Sequence, residues 1–373
     1  MEQELVSIII SAYNASEFLD GCISSAIAQT YRTIEIILID DGSTDETLSI
    51  MRKHEASDSR IRVLTQENMG LGASRNTGIS LARGKAIMFL DADDYYTANL
   101  VEYAFSALKR NDCDIVIFNG NVFWDDRVAA SSGVPSEASP EALSGVPPEA
   151  SSEVSSELPV GIPIQKERYF RLTNEAEGFV RDGFYFLELS KGRIQSACLK
   201  IYRKDFIDSN IIRFAQEGYG EDTLFFYHAF IKAVRVSYID YAGYLRRFHK
   251  NSIMKSVGTE NIKSRICHFP MLLSVLSEVI DKKNSKLVMK QYVYYGVLLW
   301  IMIYNRGNRE ERDELDECFR KLGVDKLIIG NRTDLATCIF SVIISLPKRL
   351  NFIKSFVAKL AKKLLKGKTR FSF

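Results

Sequence analysis

Three short polar runs hold the side chains best suited to chemistry, and each directly follows a mostly apolar run. Ser11-Ala12-Tyr13-Asn14 follows VSIII, Asp40-Asp41-Gly42-Ser43-Thr44-Asp45 follows IEIILI, and Asp91, Asp93 and Asp94 follow KAIMFL. A cluster of carboxylates behind a buried strand, with no Lys or Arg beside it, is costly unless it binds a cation. Hard oxygen ligands suit magnesium or manganese, which in turn would bridge to phosphate oxygens of a nucleotide. In the second run Gly42 permits a tight turn, and Ser43 or Thr44 can cap the next helix. Any one of these aspartates taken alone could equally be a helix cap.

The elements around these runs must place them together. Strand-like and helix-like segments alternate: VSIIIS, a helical period on Phe18, Leu19, Cys22, Ile23 and Ile27, IEIILID, Thr44 to Ala56, and IRVLTQ. The alternation continues with a helical Ala73 to Ala82, KAIMFLD, a helical Leu100 to Leu108 and DIVIFNG. Continuous apolar strands separated by amphipathic helices imply an α/β fold, a mostly parallel sheet with both faces covered. Ligands of such sheets bind outside the carboxyl ends of the strands, where the three polar runs lie. No GxxxxGKS loop is present and no GxGxxG follows the first strand, so the two commonest nucleotide fingerprints are missing.

In order and content these blocks resemble the family 2 glycosyltransferases, with their GT-A, Rossmann-like fold. The resemblance spans Val6 to Asn119 through SIIISAYN, IEIILIDDGSTDET, NMGLGASRNTGI and GKAIMFLDADDYY. It resumes more loosely at SACLKIYRKDFI, EGYGEDTLF and YLRRFHKNSI. It implies that Ser11 and Tyr13 contact the base, Tyr13 as a stacking platform, and that Asp41 accepts from the uracil or ribose. Asn68, Gly70 and Arg75 would line the nucleotide pocket, Arg75 having an ordinary ion pair as its structural alternative. Asp91-Ala92-Asp93 would be the DxD motif, with Asp91 near the ribose and Asp93 on the metal, Mn or Mg. Arg247, His249 and Ser252 fit an RxHxxS pattern that would close over the diphosphate. Asp222 of the Glu221-Asp222 pair would be the catalytic base, taking the acceptor hydroxyl's proton as that oxygen attacks C1 opposite the leaving diphosphate. The structural alternative for this pair is a helix N-terminus enriched in acidic residues. Lys200 occupies the place of a family NKLYR block, but Leu199 replaces the usual Asn, so a direct role for Lys200 does not carry over.

The chain of 373 residues carries 49 Lys and Arg against 47 Asp and Glu, a net charge of +2 that hides two biased segments. Between 128 and 163 there are five Glu, six of the eight prolines and no basic or aromatic residue, with a twelve-residue unit repeated as SGVPSEASPEAL and SGVPPEASSEVS. Such a segment cannot bury enough apolar surface to offset its ordering entropy, so a disordered surface insertion is expected. From Pro347 to Phe373 nine Lys and Arg stand with no acidic residue. Phe352, Ile353, Phe356, Val357, Leu360 and Leu364 fall on one helical face there, opposite Lys359, Lys362, Lys363 and Lys366. A basic amphipathic helix of this kind reads as an anchor on an anionic membrane surface, the alternative being packing on its own domain.

The six cysteines form no CxxC pair and read as small buried hydrophobes in a reducing compartment. The sequence begins MEQE without the pattern of a signal peptide, and its longest apolar stretch, Tyr292 to Tyr304, is shorter than the ~20 residues of a membrane span. The resulting expectation is a GT-A domain over 1–255 interrupted by the insertion, a helical C-terminal region over 256–346 and a basic tail over 347–373. Helices are expected over Ile262 to Lys282, Lys286 to Tyr304, Glu310 to Leu322 and Leu335 to Leu346. The expected activity is metal-dependent, inverting transfer from a nucleotide-diphosphate sugar, UDP-linked by preference, to a bacterial surface glycan or lipid-linked acceptor. It would take place at the cytoplasmic membrane face without nucleic acid. The rivals are a sugar-1-phosphate nucleotidylyltransferase, which would need a Gly-rich phosphate loop where SAYNAS stands, and a non-catalytic scaffold of the same fold.

Overall fold

The computed structural model describes residues 4–124, 167–168, 178–190, 195–216, 221–248, 303–304 and 308–321. The 128–163 insertion, His249, Ser252, the basic tail and three of the four C-terminal helices expected from the sequence, apart from Ile303 and Tyr304, lie outside these residues. The chain divides into two compact units. The first comprises residues 1–183, 196–216 and 232–255, and the second 184–195, 217–231 and 256–373.

The first unit is a mixed sheet flanked by helices. Its strands are β1 (Val6–Ala12), β2 (Ile34–Asp40), β3 (Ile61–Thr65), β4 (Ala86–Asp91), β5 (Tyr95–Tyr96), β6 (Ile115–Trp124), β7 (Glu167–Arg168), β8 (Lys200–Arg203) and β9 (Val236–Phe248). They run in the order β3-β2-β1-β4-β8-β6-β9-β5, with β7 on β6. The β3-β2-β1-β4 half is parallel, as is β6 with β9; β8, β5 and β7 pair antiparallel. The crossovers of the parallel half are α1 (Ser16–Ile27), α2 (Thr47–Ser57) and α3 (Leu71–Leu81), and α4 (Leu100–Arg110) precedes β6.

Every residue of β1 and β2 is buried, because both faces of these central strands are covered. Each isoleucine buried there contributes about 1.5–3 kcal/mol relative to exposure. Edge strand β3 grades from buried to exposed along its length. One buried charge sits at the start of β2. Glu35 accepts from Ser7 Oγ at 2.7 Å, from the Arg83 amide at 2.6 Å and from Arg83 Nε at 2.9 Å. Burial would raise its carboxyl, but these bonds and the Arg83 charge outweigh it and hold the group below the usual range.

In the second unit, α5 (Gly183–Ser190) and α7 (Glu221–Lys232) bury Phe186, Leu187 and an aromatic run from Phe225 to Tyr227 with Phe230. Phe226 and Phe230, one turn apart, lie 4.4 Å between ring centroids. The acidic helix α8 (Arg309–Lys321) starts with a reciprocal cap between Asn308 and Glu311, at 2.7 and 3.0 Å. Between α5 and α7, and within the first unit, lies the short α6 (Lys204–Ser209) that follows β8. No helix among the described residues is long and apolar enough to cross a membrane.

Candidate functional site

The carboxyl ends of β1, β2 and β4 are adjacent through register pairs Ala12–Asp40 and Ser11–Asp91, so the three polar runs meet at one sheet edge. The first two lock together. Asn14, in a left-handed conformation at φ 49°, accepts from the Thr44 amide at 2.8 Å, and its own amide donates to Ser43 Oγ at 3.0 Å. Asp45 accepts from the amides of Ser16 and Thr47, at the starts of α1 and α2. Burial alone would raise the Asp45 carboxyl, but these hydrogen bonds prevail and bring it down to about 2.

Above this frame Tyr13 is half exposed and Ser11 is buried. Among the described residues Ser11 Oγ has no hydrogen-bond partner. A buried hydroxyl left in that state costs on the order of 1–3 kcal/mol, which a bound polar ligand would recover. Asp41 is 3% exposed, and it accepts from Gln66 Nε2 at 2.8 Å, the Met69 amide at 3.0 Å and the Gly70 amide at 2.8 Å. Gly70 begins α3 at φ 86°, a value that a side chain would strain. Asp41 thus shapes the Gln66–Leu71 loop, while Asn68 stands exposed on it.

The aspartate run after β4 is a tight turn closed by the Asp94 amide on the Asp91 carbonyl at 3.0 Å. Arg75 Nη2 donates to Asp91 Oδ1 at 2.7 Å, and its guanidinium lies 5.1 Å from the Phe214 ring centre. Cys198 Sγ approaches the same carboxylate oxygen at 3.3 Å, and Cys22 Sγ the Asp91 carbonyl at 3.3 Å. Burial of the turn would raise Asp91, but Arg75 holds it below the usual carboxylate range. Asp94, also buried, accepts from Tyr244 Oη at 2.5 Å and from the Arg247 amide at 2.7 Å. Burial, then the charges of Asp93 and Asp91, pushes its carboxyl well up. Sequence reasoning grouped Asp94 with its neighbours; its distinct partners come from β9, some 150 residues away.

Asp41, Arg75 and Arg247, which the sequence leads one to expect at the donor, each have protein partners in the structure. All three are about 3% exposed and face protein partners, because each stabilises backbone or charge that the strand ends leave unbalanced. Arg247 Nε donates to the Asp93 carbonyl at 2.8 Å, and its guanidinium lies among Phe18, Tyr95 and Phe123. Glu221 and Asp222 occupy the first turn of α7, in the second unit. The described residues contain no group of three side chains that could hold a metal ion unaided. The hard oxygens of this aspartate turn would suit a divalent cation, which would supply positive charge beside the turn.

A parallel half with a carboxylate turn at its carboxyl edge, continued by antiparallel strands, is a fold of the GT-A class. By sequence, residues 7–130 match the model of "Glycosyl transferase family 2". Glycosyltransferase GlyG of Streptococcus pneumoniae is 42% identical over 117 residues, 31% of this chain and 39% of GlyG. Putative glycosyltransferase EpsH of Bacillus subtilis is 28% identical over 290 residues, 77% of this chain and 72% of EpsH. The chain thus spans only about two fifths of GlyG, and less of other relatives such as chondroitin synthase of Escherichia coli, at 16%. The solved structure of S. aureus TarS 1–349 in complex with UDP-GlcNAc superposes with a TM-score of 0.66 at 18% identity, covering 97% of this chain and 92% of that one.

Proposed function

We propose that the chain is an inverting, metal-dependent glycosyltransferase that moves a sugar from a nucleotide-diphosphate donor to a hydroxyl of a bacterial surface glycan or lipid-linked acceptor. The observation that carries this reading is the meeting, at the ends of β1, β2 and β4, of an unpartnered buried hydroxyl, an exposed tyrosine and an aspartate turn. A UDP-linked sugar is the first donor to test, since the TarS structure named above holds UDP-GlcNAc.

In this reading Tyr13 stacks on the base, Ser11 bonds it, and Asn68 and Gly70 line the pocket. Asp41 and Arg75 act by shaping that pocket, and Asp91 lies toward the ribose. Asp93 would hold a divalent ion, Mn or Mg, which supplies positive charge to the leaving diphosphate. Asp222 takes the proton of the acceptor hydroxyl as its oxygen bonds C1 and the C1–diphosphate oxygen bond breaks. Such base assistance is worth about 10² to 10⁴ in rate. His249 and Ser252 would close over the diphosphate. Residues 1–255 form the catalytic domain, 256–346 a helical region, and 347–373 a tail binding anionic membrane at the cytoplasmic face.

The test is a panel of nucleotide sugars assayed for transfer or hydrolysis with Mn, using the wild type and Asp222→Asn. The expected result is one preferred donor, with donor affinity kept and transfer reduced at least 100-fold in Asp222→Asn. Turnover within a few-fold of wild type would overturn the base assignment.

A further inference from the structure

Arg247 is a buried cation whose placement has a clear geometry. Its guanidinium carbon lies 4.6, 4.9 and 5.2 Å from the ring centres of Phe18, Tyr95 and Phe123, contributed by α1, β5 and β6. Nη2 donates to Tyr95 Oη, and Nε donates to the Asp93 carbonyl at 2.8 Å. The Arg247 amide donates to Asp94 Oδ1 at 2.7 Å. One residue therefore grips the DxD turn at two successive positions, once by side chain and once by backbone. Tyr244, on the same strand, adds a third hold by donating to Asp94 and accepting from the Asp91 amide at 3.4 Å.

Packing leaves this cage little slack. Tyr95 lies so close to α1 that a Cβ at Gly21 would stand 2.8 Å from its hydroxyl, so the ring cannot retreat toward the helix. Arginine suits the site better than lysine. Its planar, weakly hydrated fork can face aromatic rings and still direct N–H groups at two oxygens, whereas an ammonium cannot do both.

We infer that Arg247 is a positioning residue for the metal-binding turn, fixing the backbone at Asp93 from behind, and does not serve as a ligand of the donor's phosphates. This rests on the metal and donor reading proposed above. Partners that orient metal ligands typically alter metal affinity 10–100-fold when lost.

The experiment uses the full chain with Arg247→Lys and Arg247→Met. It measures Mn affinity in saturating UDP by electron paramagnetic resonance of free Mn, UDP and uridine affinity in EDTA, and thermal unfolding. The expected result is Mn affinity weakened about 10- to 100-fold in both folded variants, with the metal-free preference for UDP over uridine unchanged. Loss of that metal-free preference would make Arg247 a phosphate ligand and overturn the inference. Unchanged Mn affinity in folded variants would reduce its role to packing and also overturn it. Should both variants fail to fold, Tyr244→Phe, which removes the hydroxyl that meets both Asp94 and the Asp91 amide, decides in the same way: weaker Mn affinity supports the turn-holding account and an unchanged value refutes it. A wild type that binds no Mn with UDP would instead fail the metal reading, and the inference would fall with it.

Discussion

Removing the Arg75 guanidinium tests whether the DxD turn depends on a built-in countercharge. The pair it forms with Asp91 is 2.7 Å long, with side-chain exposures of 4% and 36%. Breaking a fully buried pair from one side costs about 3–5 kcal/mol, because the remaining charge is stranded. The exposed third of Asp91 lets solvent screen that loss, and the Cys198 thiol at 3.3 Å remains as a donor. About 2–3 kcal/mol is therefore expected for Arg75→Met, a change that keeps an apolar side chain near Phe214. For a domain of this size that corresponds to a fall in Tm of roughly 4–12 °C. Asp91→Asn removes the other charge, and the double variant closes a thermodynamic cycle. Urea unfolding in EDTA, followed by circular dichroism, should give a coupling of at least about 1 kcal/mol between the two sites. A coupling below about 0.5 kcal/mol would refute the argument and return Arg75 to the role of a nucleotide contact.

Two further outcomes follow from the frame around the site. Asp41→Asn replaces a carboxylate accepting three hydrogen bonds with an amide that must turn an N–H group toward donors. A stability loss of about 2–4 kcal/mol by denaturant titration, with nucleotide affinity weakened because the Gln66–Leu71 loop loses its template, is expected; a loss under 1 kcal/mol would contradict it. Asp45 has a folded-state value near 2, below the ~3.9 of an unfolded Asp, so its contribution is present above pH 4 and is lost as pH falls toward 2. Because Asp45 is exposed, screening limits that contribution to about 1 kcal/mol. Asp45→Asn should therefore flatten the acid limb of the stability profile between pH 4 and 2, and an unaltered limb would argue against this capping role.

The parallel half of the sheet was legible in the sequence because β1, β2 and β4 are mostly apolar runs, and burial on both faces leaves little else they could be. Their polar ends were legible for the same reason, since polar residues directly after such runs must lie at the sheet's carboxyl edge. The tasks of individual side chains there were less so. Arg75 reaches Asp91 over 16 residues and could be weighed in advance as an ion pair, but Cys198 meets Asp91 across 107 and Tyr244 meets Asp94 across 150. The Cys198 contact exists because β8 pairs with β4 and the Tyr244 contact because β9 returns to pair with β5, in the register Tyr96 with Tyr244, and local pattern reveals neither pairing. The motif around Arg247 pointed to phosphate; the aromatic cage that encloses it is assembled from three elements distant in sequence.

The central claim is that the DxD turn binds a nucleotide diphosphate through a divalent ion held by Asp93. Isothermal titration of UDP into the wild type and Asp93→Ala, each with Mn and with EDTA, tests it most directly. Affinity in the wild type should be at least tenfold tighter with Mn than with EDTA, and Asp93→Ala should lose that difference while remaining folded. An Asp93→Ala variant that keeps the full Mn-dependent gain would contradict the account.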